Sequence, residues 1–464
     1  MIESINKTIG YVSGLVWGWP MLILLVGTGL YLTILLKGMQ FWALPHAFGL
    51  IFKKDASGEG DISHFAALMT ALAATVGNGN IVGVATAISI GGPGAVFWMW
   101  VTGLVGMATK YAEAILAVKY REAGPQGMRG GPMYYIAKGA GMPWLGWLFA
   151  LFAAIAAFGI GNMVQADSVV ANFKETFDIP PLYTGAVLMV LTGLVIIGGI
   201  RWIGRFTSVL VPVMIVGYCG AALLILVINI KEIPRAFGLI FEHAFSPLAA
   251  GGGVAGATIA QAIRYGVARG VFSNESGLGS SPIAAAAART KDPATQALVS
   301  MTQTFIDTLV VCTMTALVIL TALPWTEGVD TATLTAASFS QTLGGAGGII
   351  VALASAVFAY STLLGWCYYG EKSIEFLAGP RAIKAYRLIF VLAIFLGSIF
   401  QVDSIKQSAG LIGGKDIVWN FSDMMNGMMA APNLVGLLLL SLAVRRETKQ
   451  YFGRLRGPVA PKGA

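Results

Sequence analysis

Two short runs of glycine and small polar residues interrupt long apolar stretches at matching places in the two halves of the chain. One run extends from Thr75 to Asn80, and the other extends from Phe272 to Gly279. Such residues at membrane depth leave backbone groups unpaired, and hydrocarbon cannot satisfy them, so the breaks persist only inside protein or beside a cavity. One broken helix in each half predicts a binding site of the kind found in transporters.

The broken segments can hold charged ligand groups without using charged side chains. A helix that restarts near Gly77 to Gly79 presents free amide hydrogens, and this partial positive end suits a carboxylate. A helix that ends near Phe272 to Asn274 presents free carbonyls, which suit an ammonium group. Glycine at positions 77, 79 and 277 lets a small ligand approach the backbone closely.

Side chains within the breaks are candidates for further contacts to the ligand. They are Thr75, Asn78, Phe272, Ser273, Asn274 and Ser276. The alternative for each is helix packing or capping, because small polar residues are common between membrane helices. Glu275 is a carboxylate inside the second break, where a bare charge is costly. Two interpretations stand: it accepts hydrogen bonds from unwound backbone, or it is the protonatable group of a proton-coupled transporter.

Composition places the chain among polytopic all-α membrane proteins. Its 464 residues are 56% hydrophobic and 11% charged, whereas about 25% of a soluble domain is charged. We expect one membrane domain, in which residues 15–36 form an extra N-terminal helix and residues 443–464 a cytoplasmic tail. Apolar runs predict eleven spans, at 15–36, 64–90, 94–120, 143–172, 181–199, 203–229, 254–288, 294–323, 347–371, 386–402 and 416–442.

Loop charge predicts the orientation of these spans. With the N-terminus outside and the C-terminus inside, most of the 30 Lys and Arg residues fall on the inner side. The broken helices are the second and the seventh, five spans apart. Because five is odd, the second group of helices starts on the opposite face. Residues 64–229 and 254–442 are therefore predicted to be inverted five-helix repeats.

Several glycine- and aromatic-rich stretches carry a resemblance to a known family. They are Gly91–Trp100, Gly106–Glu113, Gly77–Ile81, Gly130–Tyr135 and Phe272–Gly279. In these stretches, and from about residue 18 to 445, the chain resembles the alanine or glycine:cation symporters, also called sodium:alanine symporters. The resemblance implies a LeuT-like fold of five plus five inverted helices with one extra N-terminal helix. It also implies import of alanine, glycine and similar small neutral amino acids, driven by sodium or in some cases by protons.

Further residues are candidates for the substrate site. Gln165 lies in the fourth helix, which faces both breaks in folds of this family, and its amide would hydrogen-bond the substrate or another helix. Asp167 follows at roughly 200° around the helix and is a functional candidate because it is ionisable; the alternative is an ordinary position near the outer membrane boundary. Trp366 in the ninth helix would wall the pocket and limit side-chain size; its alternative is ordinary packing.

The same resemblance implies a sodium site built from oxygen atoms. Ser361 and Thr362 match the place where LeuT-like folds donate hydroxyls to sodium. Carbonyls of the second helix near Ala74 and Gly77 would complete the shell. Hard cations prefer such ligands, and no carboxylate is required.

Charged residues outside the breaks have simpler interpretations. Pairing of Arg264 or Arg269 with Asp423 would close the outer vestibule, although snorkelling of these side chains to the interface explains them equally well. Lys110 and Glu113, three residues apart in the third helix, are predicted to form an internal ion pair.

Several classes of activity are not expected. There is no GxxxxGK[ST] phosphate loop, so ATP is not expected to drive transport, and no HExxH motif or Cys cluster indicates an enzyme. The positive charge belongs to loops, so no nucleic-acid partner is expected. We therefore predict a sodium-coupled importer of small neutral amino acids in the plasma (cytoplasmic or inner) membrane of a prokaryote. Proton coupling is the alternative; a channel is a further one, but it would need a continuous polar path.

Overall fold

Helices form almost all of the architecture, as the apolar spans predict. The computed structural model describes residues 2–53, 58–245, 259–323, 333–399 and 414–455. Its α-helices in chain order are α1 Ile2–Val16, α2 Trp19–Leu35, α3 Met39–Trp42, α4 Leu44–Ile51, α5 His64–Thr75, α6 Val84–Gly91, α7 Ala95–Lys119, α8 Pro132–Tyr134, α9 Pro143–Phe158, α10 Val164–Phe177, α11 Pro181–Ile196, α12 Gly199–Ile228, α13 Ile233–Phe245, α14 Ile259–Asn274, α15 Pro282–Ala286, α16 Pro293–Thr304, α17 Thr313–Ala322, α18 Leu334–Leu343, α19 Gly345–Ala378, α20 Ala382–Ile399 and α21 Gly414–Leu455.

Short irregular elements connect or interrupt these helices. A two-stranded antiparallel hairpin is formed by β1 Glu122–Gly124 and β2 Gly127–Arg129, and a 3₁₀ turn spans Ile230–Glu232. Wider π-helical turns span Gly79–Gly83, Tyr135–Gly139, Gly159–Met163 and Phe305–Cys312. Such turns are rare in proteins, and those that occur often lie at functional sites. Three of them lie in the second, fourth and eighth predicted spans.

The described residues contain eight helices that are long and apolar enough to cross a membrane, and α5 with its continuation through residue 91 adds a bent ninth span. Two further predicted spans correspond to α11, a shorter apolar helix, and to α14 with α15. The seventh predicted span begins at residue 254, and its first residues lie outside the described ranges. The count of eleven therefore remains a prediction, whereas a polytopic helical fold is confirmed.

Helical structure extends past both predicted terminal boundaries. The first helical region begins at Ile2 rather than at residue 15, and α1 packs against α21. The predicted tail from residue 443 is helical as far as Leu455, because α21 continues beyond the apolar stretch. Aromatic packing holds this extension, since the rings of Phe452 and Trp42 lie 4.8 Å apart between centroids.

Helix α7 occupies the centre of the fold, packed against α14 and α16. Small residues also bring α7 close to the segments that follow these two helices: a Cβ atom on Gly106 would lie 2.8 Å from Oγ of Ser276, and one on Gly103 would lie 3.1 Å from Cγ2 of Thr308. By contrast, α12 exposes an apolar face that suits contact with lipid. The face includes Val209, Val213 and Val216.

Candidate functional site

The first break separates α5 from the π-helical turn at Gly79–Gly83. Val76 leaves the helical region, with φ −74° and ψ 91°, and the two halves of the span are bent by 55°. The amide of Gly77 donates to Oδ1 of Asn80 at 2.9 Å. This bond satisfies one of the amide groups that the break frees. The predicted interruption near Gly77 to Gly79 is confirmed.

The second break lies between the end of α14 at Asn274 and the start of α15 at Pro282. Glu275, Gly277 and Gly279 all have positive φ, at 56°, 89° and 84°. For a non-glycine residue such as Glu275, this left-handed conformation costs roughly 1–2 kcal/mol. Backbone strain of this kind is concentrated at functional sites. Because α14 ends at Asn274, the predicted end of the first half of the seventh span is also confirmed.

The two breaks contact each other. A Cβ atom placed on Gly79 would lie 3.2 Å from Cδ1 of Phe272 and 3.4 Å from Cα of Ser273. Glycine at position 79 is therefore what brings the first break close to the backbone of the second. Backbone groups freed by both breaks lie in one region of the molecule.

Polar side chains of three spans meet at the first break. Nδ2 of Asn78 donates to Oε1 of Gln165 at 3.2 Å, and the Ser355 hydroxyl donates to Oδ1 of Asn78 at 2.6 Å. The structure thus places Gln165 beside the break, where the resemblance puts it. The Thr75 hydroxyl instead donates to the carbonyl of Ala71 at 3.1 Å. Its role as a ligand contact remains a prediction.

Three polar side chains of the second break bind the eighth span. The Ser273 hydroxyl donates to Oδ2 of Asp307 at 2.8 Å. Nδ2 of Asn274 donates to Oγ1 of Thr308 at 3.0 Å. The Ser276 and Thr304 hydroxyl oxygens are 3.1 Å apart. These hydrogen bonds attach the second break to the eighth span, as the helix-packing alternative for these residues predicts. A direct contact of these side chains with a ligand remains a prediction.

Asp307 is a central residue that the sequence analysis missed. It is fully buried in the π-helical turn Phe305–Cys312. Its Oδ1 accepts from Nδ2 of Asn80 at 2.7 Å, while its Oδ2 accepts from the Ser273 and Thr308 hydroxyls at 2.8 and 2.9 Å. One carboxylate therefore joins the two breaks. A signal was present, because any ionisable residue within a membrane span is a functional candidate.

Lys110 and Glu113 bind the second break rather than each other, which corrects the predicted ion pair. Nζ of Lys110 donates to the backbone carbonyl of Glu275 at 3.0 Å and to Oγ of Ser281 at 2.5 Å. Oε1 of Glu113 accepts from the Gly277 and Gly279 amides at 3.1 and 3.2 Å and from Nδ2 of Asn433 at 2.7 Å. Backbone carbonyl and amide groups that the break leaves unpaired are thus hydrogen-bonded by buried charged side chains.

Trp366 is buried between the fourth span and the second break. It packs so closely on Gly161 that a Cβ atom on that glycine would collide with the tryptophan. Its ring lies 5.7 Å from that of Tyr369 between centroids, and its side chain lies near the Glu275 carboxyl group. This carboxyl accepts from Oγ of Ser280 at 2.5 Å. The carboxyl group of Glu275 is therefore hydrogen-bonded within the break by a side-chain hydroxyl and not by the backbone, and both interpretations of this residue remain predictions.

The residues predicted to bind sodium are adjacent. The Ser361 hydroxyl donates to the carbonyl of Ala73 at 3.1 Å, and a Cβ atom on Gly77 would lie 2.5 Å from Oγ1 of Thr362. Gly365 packs on Ala74, where an added Cβ would lie 2.7 Å from the alanine Cβ. Buried hydroxyls of α19 thus face the carbonyl-rich end of α5. Such an oxygen set suits a hard cation.

One of the two candidate arginines reaches Asp423. Nη2 of Arg269 lies 3.6 Å from Oδ2 of Asp423, and the Arg269 guanidinium lies 5.4 Å from the ring centroid of Phe272. Arg264 lines the same cavity of about 210 Å³, whose lining includes α1, α14 and α21. Asp167, the other ionisable candidate, accepts from Nε1 of Trp419 at 3.3 Å.

Two broken helices that meet at one place are the arrangement of LeuT-like folds. The fold is similar to that of MhsT, solved in complex with L-phenylalanine, with a TM-score of 0.57. The two chains are 15% identical over 85% of this chain and 99% of that one. This similarity concerns the fold alone.

The chain belongs to the Sodium:alanine symporter family, whose profile matches residues 2–461. It is 53% identical to the sodium/alanine symporter AgcS of Methanococcus maripaludis, over 95% of this chain and 96% of that protein. It is also 49% identical to an uncharacterized transporter of Haemophilus influenzae, over 98% and 97% of the two chains. The family is one of transporters, so the predicted membrane transport class is confirmed.

Proposed function

We propose that the protein is a sodium-coupled symporter that imports alanine, glycine and similar small neutral amino acids by alternating access. The observation that carries this proposal is the position of Gly77. One face of the break at this glycine contacts Thr362 of the proposed sodium shell, and the neighbouring Asn78 binds Gln165 of the proposed substrate site. A shared backbone segment couples the two ligands, because each favours the geometry that the other needs.

The proposed substrate site consists of the freed backbone groups and the side chains around them. Amide hydrogens near Gly77 and Gly79 bind the carboxylate, and carbonyls near Phe272 bind the ammonium group. Gln165 adds a neutral hydrogen bond, and Trp366 limits the side chain. Thr75, Asn78, Ser273, Asn274, Ser276 and Gly277 complete the proposed site, while Ala74, Gly77, Ser361 and Thr362 form the proposed sodium shell.

The proposed setting is the plasma membrane, with the N-terminus outside and the C-terminus inside. Similarity to AgcS, a sodium/alanine symporter, supports sodium and alanine as the two cargoes. Proton coupling is the second candidate, because buried Glu275 and Asp307 both lie at the breaks. In that case either carboxyl group would carry the coupling proton.

Uptake by purified, reconstituted protein tests the proposal. Proteoliposomes are supplied with labelled alanine and a panel of competing amino acids, under a sodium gradient or a matched potassium gradient at equal pH on both sides. We expect concentrative alanine uptake only with inward sodium, and competition by glycine and serine. Uptake that follows a proton gradient without sodium would establish the second candidate. Failure of alanine and glycine to compete would overturn the substrate assignment.

Thr362→Val tests the ion shell within the same assay. Valine keeps the shape of threonine and removes the hydroxyl that faces Gly77. Loss of one polar sodium ligand that contributes about 1.4 kcal/mol to the binding free energy should raise the sodium concentration for half-maximal uptake about tenfold. Thr192→Val is the matched control, because the buried Thr192 hydroxyl has no hydrogen-bond partner within the described part of the chain. An unaltered sodium curve for Thr362→Val would remove this residue from the shell.

A further inference from the structure

We propose that the protein binds one anionic phospholipid in a groove between α11 and α12, with the lipid phosphate beside Arg201 and Arg205. The groove is almost wholly apolar, has a volume of about 600 Å³, and is lined mainly by Leu194, Trp202, Phe206 and Val209. All four of these side chains are exposed on the outside of the helical bundle. The inference concerns this outer surface and does not depend on the proposed sodium symport.

A second apolar cavity extends the groove along the same helices. It measures about 370 Å³, and Leu210 lines both cavities. The rings of Phe206 and Tyr360, one from each cavity, lie 5.7 Å apart between centroids. On α11 the lining runs from Tyr183 to Val195, which is roughly 18 Å along the helix axis. Because half of the hydrocarbon core is about 15 Å thick, the extended groove has the length of an acyl chain in one leaflet.

A polar cavity adjoins the Trp202 end of this groove. It measures about 340 Å³, and its lining includes Gly198, Arg201 and Arg387. Trp202 packs so closely on Gly198 that an added Cβ atom would collide with the tryptophan ring. The Trp202 ring therefore lies between the polar cavity and the apolar groove, as tryptophan does at the level of lipid headgroups. An apolar groove that ends at a polar cavity fits an amphiphilic ligand.

Two arginines at this end suit a phosphate group. Arg201 and Arg205 are both exposed, and their spacing of four residues places them on one face of α12. Neither makes a hydrogen bond or an ion pair with any described residue. Guanidinium groups bind phosphate oxygens through two parallel hydrogen bonds. In the proposed orientation both arginines lie on the inner side, where basic pockets between membrane helices bind anionic headgroups.

The acidic residues of the polar cavity already have partners. Glu371 accepts from Nε of Arg387 at 2.8 Å, and Asp61 accepts from the backbone amide of Met128 at 2.6 Å. The lining of the three cavities carries three arginines and these two carboxylates, which leaves one positive charge. A single phosphodiester group balances this charge. The ligand class is therefore a phospholipid with one net negative charge.

The lipid site adjoins the first half of the second span. Gly204 of α12 faces the start of α5, and a Cβ atom on this glycine would lie 3.3 Å from Cγ2 of Ile62 and 3.6 Å from Cβ of Ala66. A lipid that joins α11 to α12 would thus stabilise the surface on which this half of the broken helix packs.

Native mass spectrometry of the purified full-length protein tests the inference, with palmitoyl-oleoyl phosphatidylglycerol or the matching phosphatidylcholine titrated in detergent. We expect the first phosphatidylglycerol to bind about 30-fold more tightly than the first phosphatidylcholine, because each arginine beside the headgroup contributes about fivefold. Arg201→Gln and Arg205→Gln should each reduce this preference about fivefold, and the double variant should abolish it. The matched control is Arg445→Gln with Arg446→Gln, which removes two exposed charges from the predicted inner side and should keep the preference.

A second pair of variants tests the apolar groove. Val209→Trp places a large ring in the groove at a residue that is 68% exposed, so it should weaken phosphatidylglycerol binding about tenfold without overpacking the core. Val216→Trp is the control, because Val216 is 71% exposed on the same helix and lines neither apolar cavity. Its affinity for phosphatidylglycerol should match that of the natural protein.

Several results would overturn the lipid site. Equal affinity for the two lipids would show that only unspecific boundary lipid is bound. A preference that survives in the double Arg201→Gln, Arg205→Gln variant, or that falls equally in the Arg445→Gln, Arg446→Gln control, would place the headgroup elsewhere or assign the effect to net charge. Displacement of the lipid by equimolar inorganic phosphate would indicate a simple anion site. None of these results bears on sodium-driven uptake, which is measured separately.

Discussion

Trp366 combines features that make a side chain a size filter. It is almost fully buried, it packs against Gly161 of the fourth span, and it lies near Glu275 in the second break. In the proposed site, a large rigid ring at this position would occupy volume that a longer substrate side chain needs. Tyr369, three residues further along α19, contacts the ring and restrains its position.

Trp366→Ala is therefore expected to admit larger substrates. Discrimination in an apolar pocket is worth about 10-fold or more per methylene, so leucine should compete about tenfold better relative to alanine in the variant. Competition by alanine, serine and leucine against labelled alanine uptake measures this ranking. Trp144→Ala is the control, because Trp144 is 63% exposed. An unchanged ranking in Trp366→Ala would show that the ring has only a packing role.

Individual side chains differ in how far the sequence could identify them. The resemblance placed Gln165 near the first break because the fold orients its helix there. Lys110 and Glu113 were misassigned, because helical spacing indicates a local pair whereas the unwound backbone of a distant segment binds both charges. Asp307 was missed for a similar reason: its partner Asn80 lies 227 residues away in sequence. Such contacts arise only from tertiary packing.

Helical elements around the site are interrupted in a common way. The turn at Gly79–Gly83 follows the first break, the turn at Gly159–Met163 contacts Trp366, and the turn at Phe305–Cys312 carries Asp307. Apolar composition predicted these spans but not their π-helical turns, because one extra residue in a turn hardly alters a hydrophobic run. The breaks were predictable because glycine and polar residues cluster there. The ends of helices were less predictable than the breaks, because a helix such as α21 extends past its apolar stretch.

Gly161→Ala tests whether the π-helical turn of the fourth span positions Trp366. The added methyl group would collide with the Trp366 side chain, and overpacking of this kind costs typically 1–3 kcal/mol. We expect a lower thermal unfolding temperature in detergent and weaker apparent affinity for alanine. Gly83→Ala is the matched control in another π-helical turn, since an added Cβ there meets nothing within 4 Å. Equal behaviour of the two variants would contradict the positioning role.

Two groups of polar contacts, one around Arg269 and one around Arg121, would act as closures in the proposed alternating access. At one end, Arg269 approaches Asp423, and Nε1 of Trp17 donates to the Asp423 backbone carbonyl at 2.9 Å. At the other, the Arg121 guanidinium donates to the backbone carbonyls of four residues. They are Glu59, Ala286, Ala288 and Thr290. Burial lowers the pKa of Arg121, and nearby acidic residues oppose that shift, so it stays protonated and bound.

The difference between these closures indicates which one opens more easily. Arg121 makes four hydrogen bonds to backbone, whereas the 3.6 Å contact between Arg269 and Asp423 joins two partly exposed side chains. Exposed pairs contribute about 0.2–1 kcal/mol. Removal of this contact should therefore shift the population by up to about fivefold towards a state open at the Arg269 end, without destroying the fold.

Arg269→Gln should increase the rate at which a membrane-impermeant thiol reagent modifies a cysteine placed at Ser13, a residue that lines the cavity beside this pair. The expected increase is up to about fivefold, because the variant loses the partly exposed charge contact with Asp423. The background carries Cys219→Ser, Cys312→Ser and Cys367→Ser, so that the introduced thiol alone reacts. Arg264→Gln removes the same charge from the same cavity but leaves the Arg269–Asp423 contact in place, so its rate should match the background. If both variants accelerate labelling equally, local charge and not closure of the vestibule governs access. If neither does, the Arg269 end is held closed by helix packing such as that of α1 on α21.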